Sequence, residues 1–217
     1  MTEPTTPADD PDRAPTRHER QTGQHWDTSY QDGPAPWDVG RPQPPVVRLA
    51  DRGAFTGRVL DVGCGTGENA LHLAGLGLPT VGVDVAATAL AEARRKASER
   101  RVDATFLIAD ALRLDRLDQT FDSVLDCGLF HTLDDQERMR YVMSLAAVTE
   151  PGAVLHLLCF SDAEPGTGGP RRVSRVELRA AFGPQSGWRI DSVDADRFAT
   201  RYHPDGAAAW VASIRRG

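Results

Sequence analysis

The sequence predicts an α/β fold in which a mostly parallel sheet carries helices on both faces. Three observations predict it. Short apolar runs alternate with stretches of helical periodicity from Arg58 onward, and a glycine turn joins the first run to the first helix. The fifth run, AVLHLLCF at 153–160, is apolar at nearly every position, as in a strand buried on both faces. Alternation of this kind is the pattern of a parallel sheet.

Taken in order, RVLDV (58–62) reads as a strand and ENALHLAGLG (68–77) as a helix closed by Gly75 and Gly77. PTVGVD (79–84) is a second strand, and ATALAEARRKASER (87–100) a long helix. Two further strands follow, ATFLIAD (104–110) and FDSVLDCG (121–128). DDQERMRYVMSLAAVTE (134–150) has apolar residues at helical spacing and stops at Pro151-Gly152, before the fifth strand. A Gly/Pro-rich loop (162–170) leads to a short helix near RVELRAAF, ended by Gly183-Pro184. WRIDSVDADRFAT and AAAWVASIRR then read as consecutive strands, an antiparallel hairpin at one edge. His72 and His156 fall inside a helix and a strand, and Trp188 and Trp210 belong to sheet packing.

The 217 residues are 40% hydrophobic and 26% charged, as in a soluble globular chain. Residues 1–20, rich in Pro, Thr and Asp, read as a disordered tail. Residues 21–50 carry two tryptophans and a tyrosine among prolines and glycines, which suggests a lid over a site; 51–217 form the main domain. A net charge of −6 gives no reason to expect nucleic acid. Lys96 is the only lysine and reads as genome composition. Cys64, Cys127 and Cys159 form no C-x-x-C pair and no His/Cys ligand cluster, so a reducing cytoplasm is expected, with no metal. No apolar run is long enough for a membrane span, so no membrane partner is expected. A monomer or homodimer is expected.

The turn VLDVGCGTGENALHLA (59–74) is built to bring backbone close to a ligand. A phosphate loop would need Lys followed by Ser/Thr at the helix start, but the turn has no lysine and Lys96 lies far along another helix. The spacing is G-x-G-x-G, and Asp61 and Glu68 flank it, which would repel a diphosphate. S-adenosylmethionine (SAM) suits such a turn, having no phosphate and carrying an ammonium and a sulfonium. Asp61 can neutralise charge near its methionine portion while Gly63 and Gly65 admit close backbone approach. Asp84 ends the second strand, where a carboxylate can accept both ribose hydroxyls. Asp110 ends the third, where it can accept from the adenine amino group beside the Ala111 N–H. Three carboxylates at three successive strand ends line one edge of a parallel sheet.

The ordered set of Asp61, the glycines, Asp84 and Asp110 resembles the class I SAM-dependent methyltransferases over about residues 55–217. That resemblance implies a Rossmann-like, seven-stranded sheet with its last strand antiparallel, and cofactor roles at Gly63, Gly65, Asp84 and Asp110. PWDVGRPQPP (36–45) and CFSDAEPGTGGPRRVS (159–174) together resemble the thiopurine and halide/thiol methyltransferase group. Through it, Trp26 and Trp37 would wall the cofactor and acceptor pockets, with Arg41 meeting the SAM carboxylate or an anionic acceptor. Arg171-Arg172 stands where related enzymes tend to place an aromatic residue. That departure suits a planar or anionic acceptor, and the set also looks like actinobacterial enzymes that methylate heterocyclic toxins such as hydroxyquinolones.

His131, after the fourth strand, is the candidate base or orienting group, with Cys127 and Phe130 beside it and Phe160 ending the fifth strand at the acceptor side. The expected reaction is methyl transfer to O or N of a small aromatic or heterocyclic molecule. A thiol or halide acceptor is the alternative. An RNA or protein methyltransferase and a non-catalytic SAM-binding protein are the other classes considered.

Overall fold

The computed structural model describes residues 13–166 and 168–217. The first element, α1 (Arg17–Thr22), precedes a 3-10 turn at Trp26–Tyr30 and the helix α2 (Pro44–Asp51). The core then runs β1 (Val59–Val62), α3 (Glu68–Gly75), β2 (Thr80–Asp84), α4 (Ala87–Arg100), β3 (Ala104–Ile108) and β4 (Phe121–Cys127). It closes with α5 (Asp135–Ala147), β5 (Thr149–Phe160), α6 (Arg175–Ala181), β6 (Trp188–Phe198) and β7 (Ala207–Arg216).

All seven strands form one sheet in the order β3-β2-β1-β4-β5-β7-β6. The first five pair in parallel, and β7 runs antiparallel between β5 and β6. The terminal hairpin therefore sits at one edge, as its consecutive strands imply. Because side chains alternate along each strand, Leu60, Val62 and Val124 face one layer, built on Tyr141 and Leu145 of α5 and Leu178 of α6. Val59, Leu125 and Leu158 face the other, against Val46 and Leu49 of α2 and Leu73 of α3. Helices thus cover both faces.

Two boundaries differ from the sequence reading. The last residues of the expected tail are helical: Thr16 and Glu19 form a capping box around α1, and Gly23 ends it in a left-handed conformation. The rest of that tail, 1–12, lies outside the described residues. The second difference is α2, which opens on Pro44 and Pro45, where a missing N–H costs nothing. It buries Val46 and Leu49 against the sheet, so it belongs to the main body and the segment over the site ends before it. Among the described residues, no helix is long and apolar enough to cross a membrane.

Candidate active site

The strand order reverses between β1 and β4, and beside that point, at the C-terminal strand ends, lies a cavity of about 770 Å³. A recess of about 60 Å³ adjoins it, sharing Tyr30, Trp37, Gly63, Cys127 and Phe198 as walls.

Gly63 and Gly65 take φ of +70° and +53° as the chain leaves β1. A β-carbon on Gly65 would stand 3.0 Å from the Tyr30 hydroxyl, so the open backbone here is required. The Gly65 N–H donates to Asp84 Oδ2 (2.8 Å), and the Ala86 N–H to Asp84 Oδ1 (2.9 Å). These amides fix the Asp84 carboxylate at the cavity wall, while burial raises it above its ordinary range. Asp110 and Ala111 line the same wall further along; Asp110 Oδ1 accepts from the Leu112 N–H at 2.9 Å.

Asp61 is different. It lies under the turn, 1% exposed, and reaches neither cavity nor recess. Neither carboxylate oxygen has a hydrogen-bond partner of good geometry. Burial pushes it up to about 8, against the pull of the Ala70 amide, and Asp126 and Asp84 add to the rise. It makes no direct contact with the cavity, contrary to what its strand-end position suggests.

The N-terminal segment forms the roof. Trp26 stacks on His18 (4.0 Å between centroids) and meets Trp37 edge-on (6.0 Å). The Trp37 indole N–H donates to the Tyr30 hydroxyl at 3.1 Å. Asp27 pins this roof to the core, accepting from both the N–H (2.7 Å) and the hydroxyl (2.8 Å) of Thr88 at the start of α4. Arg17 N–H and Arg20 Nη1 both reach Glu137 Oε1 on α5, at 2.7 and 3.0 Å. Arg41 is exposed and borders only the small recess.

On the opposite wall, Nδ1 of His131 accepts the Phe160 N–H at 3.0 Å. A neutral imidazole so engaged carries its proton on Nε2, and among the described residues only Nδ1 is hydrogen-bonded, on a ring that lines the cavity. Burial, then the charges of Arg138 and Arg172, lower the His131 pKa to about 3. The ring is therefore a neutral donor at ordinary pH and a poor base. Phe160 and Phe198 pack around it at 5.0 and 5.9 Å.

Three sequence expectations fail here. Phe130 is not in the wall: its N–H turns back to Asp126, and the ring is buried between Phe182 (5.6 Å) and the Arg138 guanidinium (4.4 Å). Arg171 points away, paired with Asp135 and Glu177. Arg172 borders the cavity, but its guanidinium binds the carbonyls of Glu164, Pro165, Gly168 and Pro170, bracing its own loop. Neither arginine presents a free fork to an acceptor. Conversely, wall residues that escaped the sequence reading as site groups include Arg13, Tyr30 and Phe198. The T-x-x-E of Thr16–Glu19 signalled the helix that holds Arg13, whereas Phe198 is placed by the β6 register, which no local pattern reveals.

The donor set fits SAM. Asp61, a buried carboxyl with no hydrogen-bond partner of good geometry, lies beneath the turn where a cation above it would be favoured, and Asp84 offers lone pairs beside a glycine backbone. Comparison with known proteins agrees. Residues 59–152 match a family described as methyltransferase domain. A 2-heptyl-1-hydroxyquinolin-4(1H)-one methyltransferase from Mycobacteroides abscessus is 36% identical over 165 residues, 75% of this chain and 72% of that protein. The chain belongs to the SAM-dependent methyltransferases.

The methyltransferase is also 29% identical to a probable thiol methyltransferase 2 of Arabidopsis thaliana, over 78% of this chain and 76% of that one. A solved structure concerned with conversion of a disulfide bond into a thioacetal group during echinomycin biosynthesis superposes with a TM-score of 0.76 at 37% identity. It covers 84% of this chain and 85% of that chain. Magnesium protoporphyrin IX methyltransferase from Synechocystis PCC 6803 shares the fold, with a TM-score of 0.62 at 22% identity over 79% of this chain and 80% of that one. The enzyme is a small-molecule methyltransferase that uses SAM.

Proposed function

We propose that the methyltransferase acts on an oxygen or nitrogen of a small aromatic or heterocyclic acceptor. The observation that carries this is His131, whose Nδ1 is engaged by the Phe160 N–H so that its Nε2–H is a fixed donor, in a cavity whose walls include Leu129, Leu133, Phe160 and Phe198. Such a cavity takes a flat apolar molecule and orients one lone pair.

When bound, SAM supplies a methyl group on a sulfonium. Gly63, Gly65, Asp84, Asp110 and Ala111 would hold it, with Trp26, Tyr30, Trp37 and Cys127 closing around it. The neutral His131 orients the acceptor heteroatom by donating to a lone pair that the methyl does not take. The acceptor's remaining lone pair would then be free to face the methyl group that SAM supplies. Because His131 holds no free base site, the arrangement suits an acceptor that arrives already nucleophilic: an ionised acidic hydroxyl or a ring nitrogen. The apolar walls then strip water from the approach, and alignment does the rest.

The likeness to a hydroxyquinolone methyltransferase supports this reading. A thiol acceptor is the second reading, favoured by the thiol methyltransferase relative and by the loss of any acceptor role for Arg171 and Arg172. The charge of −6 supports a protein with no nucleic-acid partner, and the three unpaired cysteines support a cytoplasmic one, taken as a monomer or homodimer. The deciding experiment is turnover with labelled SAM on a hydroxyquinolone, a phenol, an aryl thiol, a thiopurine and iodide. Preference for the heterocycle or phenol supports the proposal; preference for thiol or iodide overturns it.

A further inference from the structure

Lys96 is the one lysine in a chain whose Lys and Arg together number 25. Every other such cationic side chain in the sequence is arginine. Lys96 is also largely buried, with its side chain 11% exposed, and its ammonium meets three acceptors. These are Thr66 Oγ1 at 2.9 Å, the Thr66 carbonyl at 3.2 Å and Glu68 Oε1 at 2.9 Å. Three acceptors converging on one atom match the three protons of an ammonium. A planar guanidinium spreads its donors in a fork and cannot aim three of them at that point.

We infer that Lys96 is a positioning residue that sets the glycine turn and, through the Thr66 hydroxyl, latches the Trp37-Asp38 roof onto it. Thr66 sits between Gly65 and Gly67, so it carries the only side chain at the tip of the turn. Its hydroxyl has one proton. Because Lys96 can only donate, the hydroxyl accepts from it and must turn that proton outward. The group waiting there is Asp38 Oδ2, 2.7 Å away. Asp38 in turn accepts the Gly40 N–H through Oδ1 at 2.9 Å, which orders the chain after Trp37. The run Lys96–Thr66–Asp38 therefore joins α4, the turn and the roof with every hydrogen bond directed the same way. Glu68, held by Arg100 at 2.8 and 2.9 Å, anchors its inner end.

This rests on assigning the glycine turn to SAM, and the test separates the two. SAM affinity is measured by calorimetry on the full chain for Lys96→Met, Lys96→Arg, Thr66→Val and Asp38→Asn, with Asp84→Asn as the control on the assignment. Amide exchange across residues 26–43 is followed in the SAM-bound protein. Loss of a charge-assisted buried hydrogen bond should weaken SAM about tenfold. The loss should be alike in Lys96→Met and Lys96→Arg, fall on KM for SAM rather than kcat, and come with faster exchange over the roof. Lys96→Met combined with Asp38→Asn should lose no more than either alone. Normal SAM affinity in Lys96→Arg, or additive losses in the double variant, overturns the inference. If Lys96→Met does not fold, Thr66→Val decides, because it removes only the hydroxyl; unchanged affinity there refutes the latch. Loss in Asp84→Asn with none in the Lys96 and Thr66 variants sinks the latch alone, whereas normal binding in Asp84→Asn sinks the assignment of the turn.

Discussion

Replacing Asp61 with Asn should flatten the response of stability to pH in the SAM-free enzyme. In the fold Asp61 keeps its proton up to about pH 8, whereas an exposed aspartate loses it near 3.8. Between those values the unfolded chain binds fewer protons than the native one, so stability falls as pH rises. Each pH unit is worth about 1.4 kcal/mol, so the fall from about pH 5 to about pH 8 is roughly 3–4 kcal/mol. Asn cannot ionise and removes that slope. Asp126, held up to about 6 chiefly by burial, and Asp84 contribute slopes of the same sign, but both remain in the variant and cancel in the difference. Urea unfolding of both proteins across this range is the assay: the curves should converge at low pH and diverge as it rises. Bound SAM places positive charge above the carboxylate and favours its ionised form. Calorimetry near neutral pH in buffers of different ionisation enthalpy should therefore show a proton released on binding, with less released by the variant. Parallel stability curves would mean Asp61 is already ionised in the fold, and the reasoning would fall.

His131 gives a kinetic prediction. With its pKa at about 3, the pH profile of kcat/KM should follow the acceptor's own ionisation, with no break near the ordinary histidine value of 6.5. His131→Phe should cost about a hundredfold, and His131→Gln, which keeps a donor, much less; an inflection near neutrality that disappears in both variants would restore a base. Deleting residues 1–22 removes α1 and its grip on Glu137, and should raise KM for SAM several-fold in steady-state assays. An unchanged KM would take α1 out of the roof. Arg172→Ala frees four carbonyls and should lower acceptor kcat/KM about tenfold, while Arg171→Ala, losing half-exposed ion pairs, should change it by less than about threefold. Equal effects would refute the division drawn between them.

The sheet was legible because strands and helices repeat their periodicity locally, and because the glycine turn and the acids at the ends of β1, β2 and β3 have fixed offsets. Asp84 and Asp110 reach the cavity for that reason. Asp61 shares the pattern but sits under the turn, since β1 directs it into the face that α3 covers. Arg171 and Arg172 show a different limit. A sequence displays two cations in a loop, but not that Asp135, Glu177 and four backbone carbonyls claim them first. Phe130 and His131 are neighbours in a 3-10 turn, and one faces the core while the other faces the cavity; one residue of rotation decides it. For α1, composition spoke for disorder, and the Thr16–Glu19 capping box seen in the structure, with its local hydrogen bonds, makes a helix instead.

The reversal of strand order between β1 and β4 separates two tasks along the chain. On the proposed assignment, β1, β2 and β3 end in the groups that hold the donor, while His131 follows β4, Phe160 and Phe198 end β5 and β6, and the Arg172-braced loop follows β5. Changes in the second half of the chain can thus re-shape what is methylated without disturbing what supplies the methyl. A chimera that keeps residues 13–127 and borrows the rest from a relative would be the natural unit of exchange, inheriting its donor from one parent and its taste in acceptors from the other.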